Sequence, residues 1–201
     1  MFSSHSDVFH FPTKWNRADY YEMLEISKSW LGDRDILDIG CGRGESTHLL
    51  NAVGFDLKVI PTWQMLDGTF LVADGTRLPF KDSVFDGLLM NNVLEHIPCK
   101  DTIISELKRV TASDSVYVFI LPSPKFKFYR LIEFPKNIIR ILRGYEPIDW
   151  WVHAKEVHGI NWFSEFYDFL TWENFLSRHF NVDEKMTCRG GLQSLFKCSN
   201  K

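Results

Sequence analysis

One short segment constrains this chain more than any other. Ile36-Leu37-Asp38-Ile39 runs directly into Gly40-Cys41-Gly42-Arg43-Gly44 and then into Glu45. The apolar run reads as a short buried strand, and Glu45 to Leu50 as the start of a helix. Glycines at alternate positions between them let backbone approach a ligand closely, because no Cβ intervenes. A ligand held there sits over the carboxyl ends of parallel strands, where strand order switches. The spacing is G-x-G-x-G rather than G-x-G-x-x-G, which weakens a dinucleotide reading. No G-x-x-x-x-G-K-[ST] loop for a nucleoside triphosphate occurs. The plain alternative is a glycine turn with no ligand.

The remaining pattern alternates strands with crossovers. Tyr20, Met23, Leu24 and Leu31 recur at helical spacing, which predicts an amphipathic helix over roughly 17–31. Further strands are expected at 52–56, 69–73, 84–90 and 115–121, with Ile103, Ile104, Leu107 and Val110 marking one helix face. Such an order predicts a parallel sheet covered on both faces. Beyond Pro122 and Pro124 the pattern breaks into an aromatic, partly helical stretch. Phe166, Phe169, Leu170 and Phe175 mark a last helix, followed by strands near 181–186 and 192–198. The expectation is a single domain over 1–201: a helical segment at 1–34, a core at 35–121, an insertion at 122–163, and a last helix with strands at 164–201.

Composition narrows the class. The 201 residues carry a net charge of −3 and are 45% hydrophobic, as in a globular protein, and no nucleic-acid partner is implied. Aromatic content is high, 15%, so rings must line a core, a pocket or a membrane-facing surface. Cys41, Cys99, Cys188 and Cys198 form no C-x-x-C pair, so no metal site is signalled and reduced thiols are expected. The first residues lack the apolar core of a signal peptide, and no run of about 20 apolar residues occurs. A cytoplasmic location, peripheral at a membrane if at all, is the expectation.

In their order, the motifs resemble those of class I S-adenosylmethionine (SAM)-dependent methyltransferases, in particular the compact quinone and small-molecule type. Ile36 to Gly44 resembles the first motif of that family and Val53-Gly54-Phe55-Asp56 its second strand with a terminal acid. Ala73-Asp74-Gly75-Thr76-Arg77-Leu78-Pro79-Phe80 resembles the adenine-side motif. Phe85-Asp86 and Asn92-Val93-Leu94-Glu95-His96-Ile97 resemble the fourth strand and its following loop, and Leu107-Lys108-Arg109-Val110 the helix before strand five. The resemblance implies an α/β, Rossmann-like, mostly parallel seven-stranded sheet with helices on both faces and an aromatic, partly helical insertion after strand five. It implies SAM as cofactor, held by Asp38, Gly40, Cys41, Gly42, Gly44, Asp56, Asp74, Gly75, Asn91 and Asn92. In that assignment Asp56 accepts from the ribose hydroxyls, Asp74 from the adenine amine, and Asn91 and Asn92 flank the methionine part.

The chain departs from the family between the second and third strands. Lys58 to Gly68 is short and contains Pro61, where a helix is usual. A second register makes Leu57-Lys58-Val59-Ile60 the second strand and leaves Pro61 at the acidic position, with no ribose partner. The Asp56 register is favoured because it shortens each crossover less. Ala112-Ser113-Asp114 replaces the usual glycine turn before strand five.

Methyl transfer from a sulfonium mainly needs alignment and exclusion of water, with a base where the acceptor is a hydroxyl. His96 and Glu95, after strand four, and His153 and His158, in the insertion, are the candidate bases. A structural role is the ordinary alternative for each. Between Lys125 and Arg143 the insertion carries Lys125, Lys127, Arg130, Lys136, Arg140 and Arg143 against Glu133 alone, interleaved with Phe, Ile and Leu. Such an element fits an anionic membrane or an anionic, lipid-linked substrate, or else a lid with a solvated basic face. Trp150, Trp151, Trp162 and Phe163 could wall an acceptor pocket or fill a core. A SAM-binding interaction protein is the alternative to an enzyme; a nicotinamide oxidoreductase is disfavoured by the glycine spacing.

Overall fold

Helix α1 (Lys14–Leu31) leads into β1 (Ile36–Ile39), α2 (Glu45–Leu50), β2 (Val53–Asp56) and β3 (Thr69–Val72) in a computed structural model. There follow β4 (Phe85–Asn91), α3 (Lys100–Val110), β5 (Thr111–Pro122), α4 (Phe169–His179), β6 (Phe180–Cys188) and β7 (Gln193–Asn200). The structure describes residues 14–97, 99–122, 138–139, 141–143, 169–188 and 193–201. His153, His158, Trp150, Trp151, Trp162, Phe163 and most of the basic insertion lie outside them.

The seven strands form one sheet in the order β3-β2-β1-β4-β5-β7-β6. The first five pair in parallel; β7 runs antiparallel to both β5 and β6. Strand order reverses between β1 and β4, the switch point the glycine turn predicts.

Period-two alternation assigns the two faces. Leu37, Ile39, Leu88, Met90, Tyr117, Phe119 and Leu121 pack with Ile103, Ile104 and Leu107 of α3 and Trp172 and Leu176 of α4. Leu89, Val118, Ile120 and Leu195 point the other way, onto Met23, Leu24 and Leu31 of α1 and Leu50 of α2. Much of the aromatic content serves the first face, where the Phe180 ring lies 4.6 Å from Tyr117 and 5.6 Å from Phe119.

The second strand is Val53–Asp56, with Val53, Gly54 and Phe55 beside Leu37, Asp38 and Ile39. The register through Leu57-Lys58-Val59-Ile60 is therefore wrong; Leu57 and Val59 are exposed. Only a 3₁₀ turn, Pro61–Met65, replaces the helix before β3, as the short, proline-bearing crossover suggests. The expected turn at 112–114 differs: these residues belong to β5, whose register shifts against β4 between Phe85 and Gly87. Asn200 Nδ2 donates to the Ala112 and Ser113 carbonyls and the Ser115 hydroxyl to Ala112, so the irregularity leaves those carbonyls satisfied.

Gly54 is where strand pairing and helix packing meet. A Cβ there would fall 2.3 Å from Thr47 Oγ1 and 2.8 Å from its Cγ2. Gly54→Ala should destabilise the fold by about 2 kcal/mol, the usual scale of overpacking, read from a urea melt. Unchanged stability would show that α2 can move off the sheet freely.

Candidate cofactor and acceptor site

All three glycines of the turn have left-handed backbone, with φ of +64° at Gly40, +51° at Gly42 and +85° at Gly44. The reasons differ. A Cβ on Gly40 would fall 2.4 Å from Val93 Cγ2, and one on Gly44 2.6 Å from Phe70 Cε1, so these two serve packing. A Cβ on Gly42 would meet nothing within 4 Å. Gly42 thus presents bare backbone to open space.

Asp56, at the end of β2, leans back over this turn. Its Oδ2 accepts from Gly42 N–H at 2.9 Å and its Oδ1 from Leu57 N–H at 2.7 Å. On the other side, Trp63 Nε1 donates to the Gly42 carbonyl at 2.8 Å while its ring stacks on Phe70, centroids 5.1 Å apart. Asp56 and Trp63 therefore hold the N–H and the carbonyl of a single residue, Gly42.

Asp38 lies beneath, only 1% exposed. Its Oδ2 accepts from Ser46 Oγ and Thr47 Oγ1 of α2, both at 2.7 Å. Burial pushes this carboxyl up to about 6 against the two hydroxyl bonds, which pull the other way. Cys41, buried beside it, is a thiol pushed up to about 12, chiefly by burial and then by the Asp38 charge. It is not a nucleophile.

The third wall follows β3. Asp74 is exposed, and its Oδ1 accepts from Thr76 N–H at 2.9 Å and Thr76 Oγ1 at 2.8 Å, which hold its carboxyl below the usual range. A Cβ on Gly75 would fall 2.9 Å from Ile103 Cδ1, so this turn rests directly on α3. Downstream, Glu106 of α3 accepts from Leu78 N–H, and Arg109 donates to Glu106, Asp82 and the Leu78 and Phe80 carbonyls.

The fourth wall follows β4. Asn91 ends the strand; Asn92 turns the chain with φ +53°, donating from its backbone to Ile120 and from its amide to Asn91 Oδ1. Val93 then packs on Gly40, and a short 3₁₀ turn carries Leu94, Glu95 and His96. Both candidate bases thus stand at the carboxyl end of β4. Glu95, however, is buried, and burial raises its carboxyl to about 8, so it carries a proton at neutral pH. Its Oε1 lies 3.7 Å from His96 Nε2.

The sequence-predicted residues Asp38, Gly40, Cys41, Gly42, Gly44, Asp56, Asp74, Gly75, Asn91 and Asn92 thus gather along one edge of the sheet. Sequence reasoning missed Ser46, Thr47 and Trp63. The two hydroxyls opening α2 were a readable signal; the Trp63 bond, made across 21 residues, left none.

Residues 37–119 match the family described as the methyltransferase domain. Over that span the chain is similar to SAM-dependent methyltransferases, and its strand order and glycine turn are those of a Rossmann-like fold. An uncharacterised protein of Methanocaldococcus jannaschii is 28% identical over 162 residues, 69% of this chain and 62% of that protein. Norajmaline N-methyltransferase of Rauvolfia serpentina is 31% identical over 103 residues, 43% of this chain and 35% of that enzyme. The chain thus spans less than two thirds of the curated relatives it matches. Among solved structures, a Pyrococcus horikoshii protein superposes with a TM-score of 0.71 at 17% identity, over 100% of both chains. The 1,6-didemethyltoxoflavin-N1-methyltransferase of Burkholderia thailandensis does so at 0.62 and 17% identity, over 92% of this chain and 78% of that one.

The Asp38 environment gives a signed stability effect. Its folded pKa, about 6, lies above the 3.8 usual for an aspartate, so the folded state binds this proton more tightly. The contribution is therefore lost as pH rises from about 4 to about 6, on the order of 3 kcal/mol. Asp38→Asn, which still accepts from both hydroxyls, should remove that decline, as read from denaturant midpoints at pH 4, 5, 6 and 7. An unchanged pH profile would mean Asp38 does not titrate in this range.

Proposed function

We propose that this protein transfers a methyl group from SAM to an O, N or C atom of a small or lipid-linked acceptor. The observation that carries the reading is Gly42: backbone facing open space, flanked by the Asp56 carboxylate at the switch point of a parallel sheet. A Cβ would fill that cradle, so the residues present fit the cofactor. Gly40, Cys41, Gly42 and Gly44 would receive the methionine part against backbone, with Asn91 and Asn92 flanking it. Asp56 would accept from the ribose hydroxyls, and Asp74 with Gly75 would receive the adenine. Asp38 supports the turn from beneath through α2.

When bound, SAM supplies a methyl carbon on a sulfonium, already a good leaving group. The chain's own work is to align the acceptor behind that carbon and exclude water. For a hydroxyl acceptor, His96 is the base placed at the rim. The alternative, a SAM-binding interaction protein, was suggested by the compressed stretch after Asp56. That stretch is folded and braced, with Trp63 bonded to the glycine turn itself, which supports the enzyme reading.

The finer reading of the acceptor rests on the insertion. Ile138, Ile139, Ile141 and Leu142 are all exposed, Leu142 by 80%, amid Lys136, Arg140 and Arg143 in the sequence. Among the described residues no helix is long and apolar enough to cross a membrane. An exposed aliphatic ridge with basic neighbours suits peripheral contact with anionic lipid, each basic residue contributing about 1 kcal/mol at low salt.

Two experiments test these proposals. In calorimetric titrations with S-adenosylhomocysteine, Gly42→Ala should abolish binding; the left-handed backbone costs about 1–2 kcal/mol, but the added Cβ meets no protein atom within 4 Å, so the fold survives. Asp56→Ala should weaken binding by about 2 kcal/mol, the scale of hydrogen bonds to a charged group. Normal affinity in both variants would sink the site. For the membrane contact, co-sedimentation with anionic liposomes should be strong at low salt and lost at high salt. Arg140→Glu with Arg143→Glu should reduce it without changing cofactor affinity; no binding at low salt leaves a soluble acceptor.

A further inference from the structure

A turn that stays bare for a ligand carries a cost of its own. Glycine has more backbone freedom than any other residue, so sterics alone hold such a turn weakly. At Gly42 no packed atom stands within 4 Å of a Cβ position, and packing there does not fix the Gly42–Arg43 peptide plane.

The crossover between β2 and β3 fixes it instead. Its 3₁₀ turn, Pro61–Met65, carries Thr62 and Trp63. Trp63 Nε1 donates to the Gly42 carbonyl at 2.8 Å, and Thr62 Oγ1 donates to the Arg43 carbonyl at 2.7 Å. Two neighbouring side chains thus hold two successive carbonyls, in reversed order. A trans peptide points its carbonyl and its N–H in opposite directions, and the described peptide bonds are all trans. Drawing both carbonyls toward the crossover therefore turns the Arg43 and Gly44 N–H groups away from it. Gly44 N–H meets the Cys41 carbonyl at 2.9 Å, which closes the turn.

The crossover is itself anchored. The buried Trp63 ring stacks on Phe70 with the planes 13° from parallel. At its far end the Asp67 carbonyl lies 2.8 Å from His48 Nδ1 of α2. Neither Thr62 nor Trp63 comes within 4 Å of the open Cβ position of Gly42, so both act on that space through backbone.

From this arrangement we infer that Thr62 and Trp63 are positioning residues. They fix the peptide planes on either side of Arg43 and so preorganise the part of the site that receives the methionine end of the cofactor. The inference deepens the methyltransferase reading proposed above and rests on it. Without the two bonds the Gly42–Arg43 peptide is free to flip, which brings a carbonyl to the side its N–H now faces and adds an ordering cost to binding. Asp56 bonds the N–H of Gly42, which belongs to the preceding peptide, and Asp74 lies beyond β3, so the ribose and adenine ends are spared.

Calorimetric titrations test this with S-adenosylhomocysteine and with methylthioadenosine, which keeps the adenine, ribose and thioether but lacks the amino-acid end. Trp63→Phe keeps an aromatic ring against Phe70 and removes the N–H donor. It should weaken S-adenosylhomocysteine about tenfold, the scale of one lost hydrogen bond, and leave methylthioadenosine within about twofold. Thr62→Val should shift the two ligands in the same unequal way, and Thr62→Ser, which restores the hydroxyl, should bind like the parent. Thr62 is half-buried, so its variants carry the test even where a urea melt shows Trp63→Phe unfolded. Losses shared equally by both ligands, or no loss in the folded variants, overturn the positioning role. A parent protein that binds neither ligand overturns the methyltransferase reading instead, and with it the site these residues serve.

Discussion

A buried carboxylate is what the rest of the structure leans on. Asp38 could have been an ordinary alternating position of β1; instead it takes two hydroxyl bonds from the first turn of α2 and anchors that helix beneath the glycine turn. The turn can then be bare backbone on its upper side. Gly54 opens the space that Thr47 occupies, and Val93 from the β4 loop fills the space above Gly40. Three strand ends therefore converge on one peptide loop, and each contact forbids a Cβ somewhere. Ionising Asp38 in this setting is costly, as its raised pKa records, and that cost stays local because the hydroxyls receive the charge.

The two halves of the sheet edge are built on different physics. Around β1, β2 and β3, short backbone-directed bonds fix every element: Asp56 to Gly42, Trp63 to Gly42, Asp74 to Thr76, Arg109 to the loop after Asp74. Beyond β4 the fold is held by apolar packing, with Leu94, Leu121, Trp172 and Leu176 in one cluster. The β5–β7 antiparallel pair brings a late part of the chain to the same edge.

Much of the fold was legible because it depends on local pattern. The buried runs at 36–39, 85–91 and 115–121 are apolar on both faces, as central parallel strands must be, and the Ile103–Val110 stripe fixes the face α3 presents. The second strand was ambiguous because Leu57-Lys58-Val59-Ile60 is as apolar as Val53–Asp56. Only the fit of Gly54 against Thr47 and the pairing with β1 decide between them, and neither is a property of the local sequence. The site divides likewise. Glycines and strand-end acids follow a spacing, whereas Trp63 acts across 21 residues. Nothing about Leu94-Glu95-His96 announces that the acid, rather than the histidine, is buried.

The sheet's two outer strands show how the missing helix is tolerated. At one margin, β6 carries Asp183, Glu184 and Lys185, mostly exposed, and a register shift between Val182 and Glu184; charge and irregularity both discourage pairing with another chain. At the other, beside β3, Val72 is exposed, as are Leu57, Val59 and Met65 of the crossover that leads to it, where a 3₁₀ turn stands in place of a helix. Its protection is brevity. Four residues offer few free backbone groups, and Trp63 stacked on Phe70 draws the strand's largest side chain inward over the glycine turn. The shortened crossover thus has a second consequence: the ring that would have packed on a helix is used to clamp the glycine turn. What the chain loses in cover at its edge it returns as rigidity at Gly42.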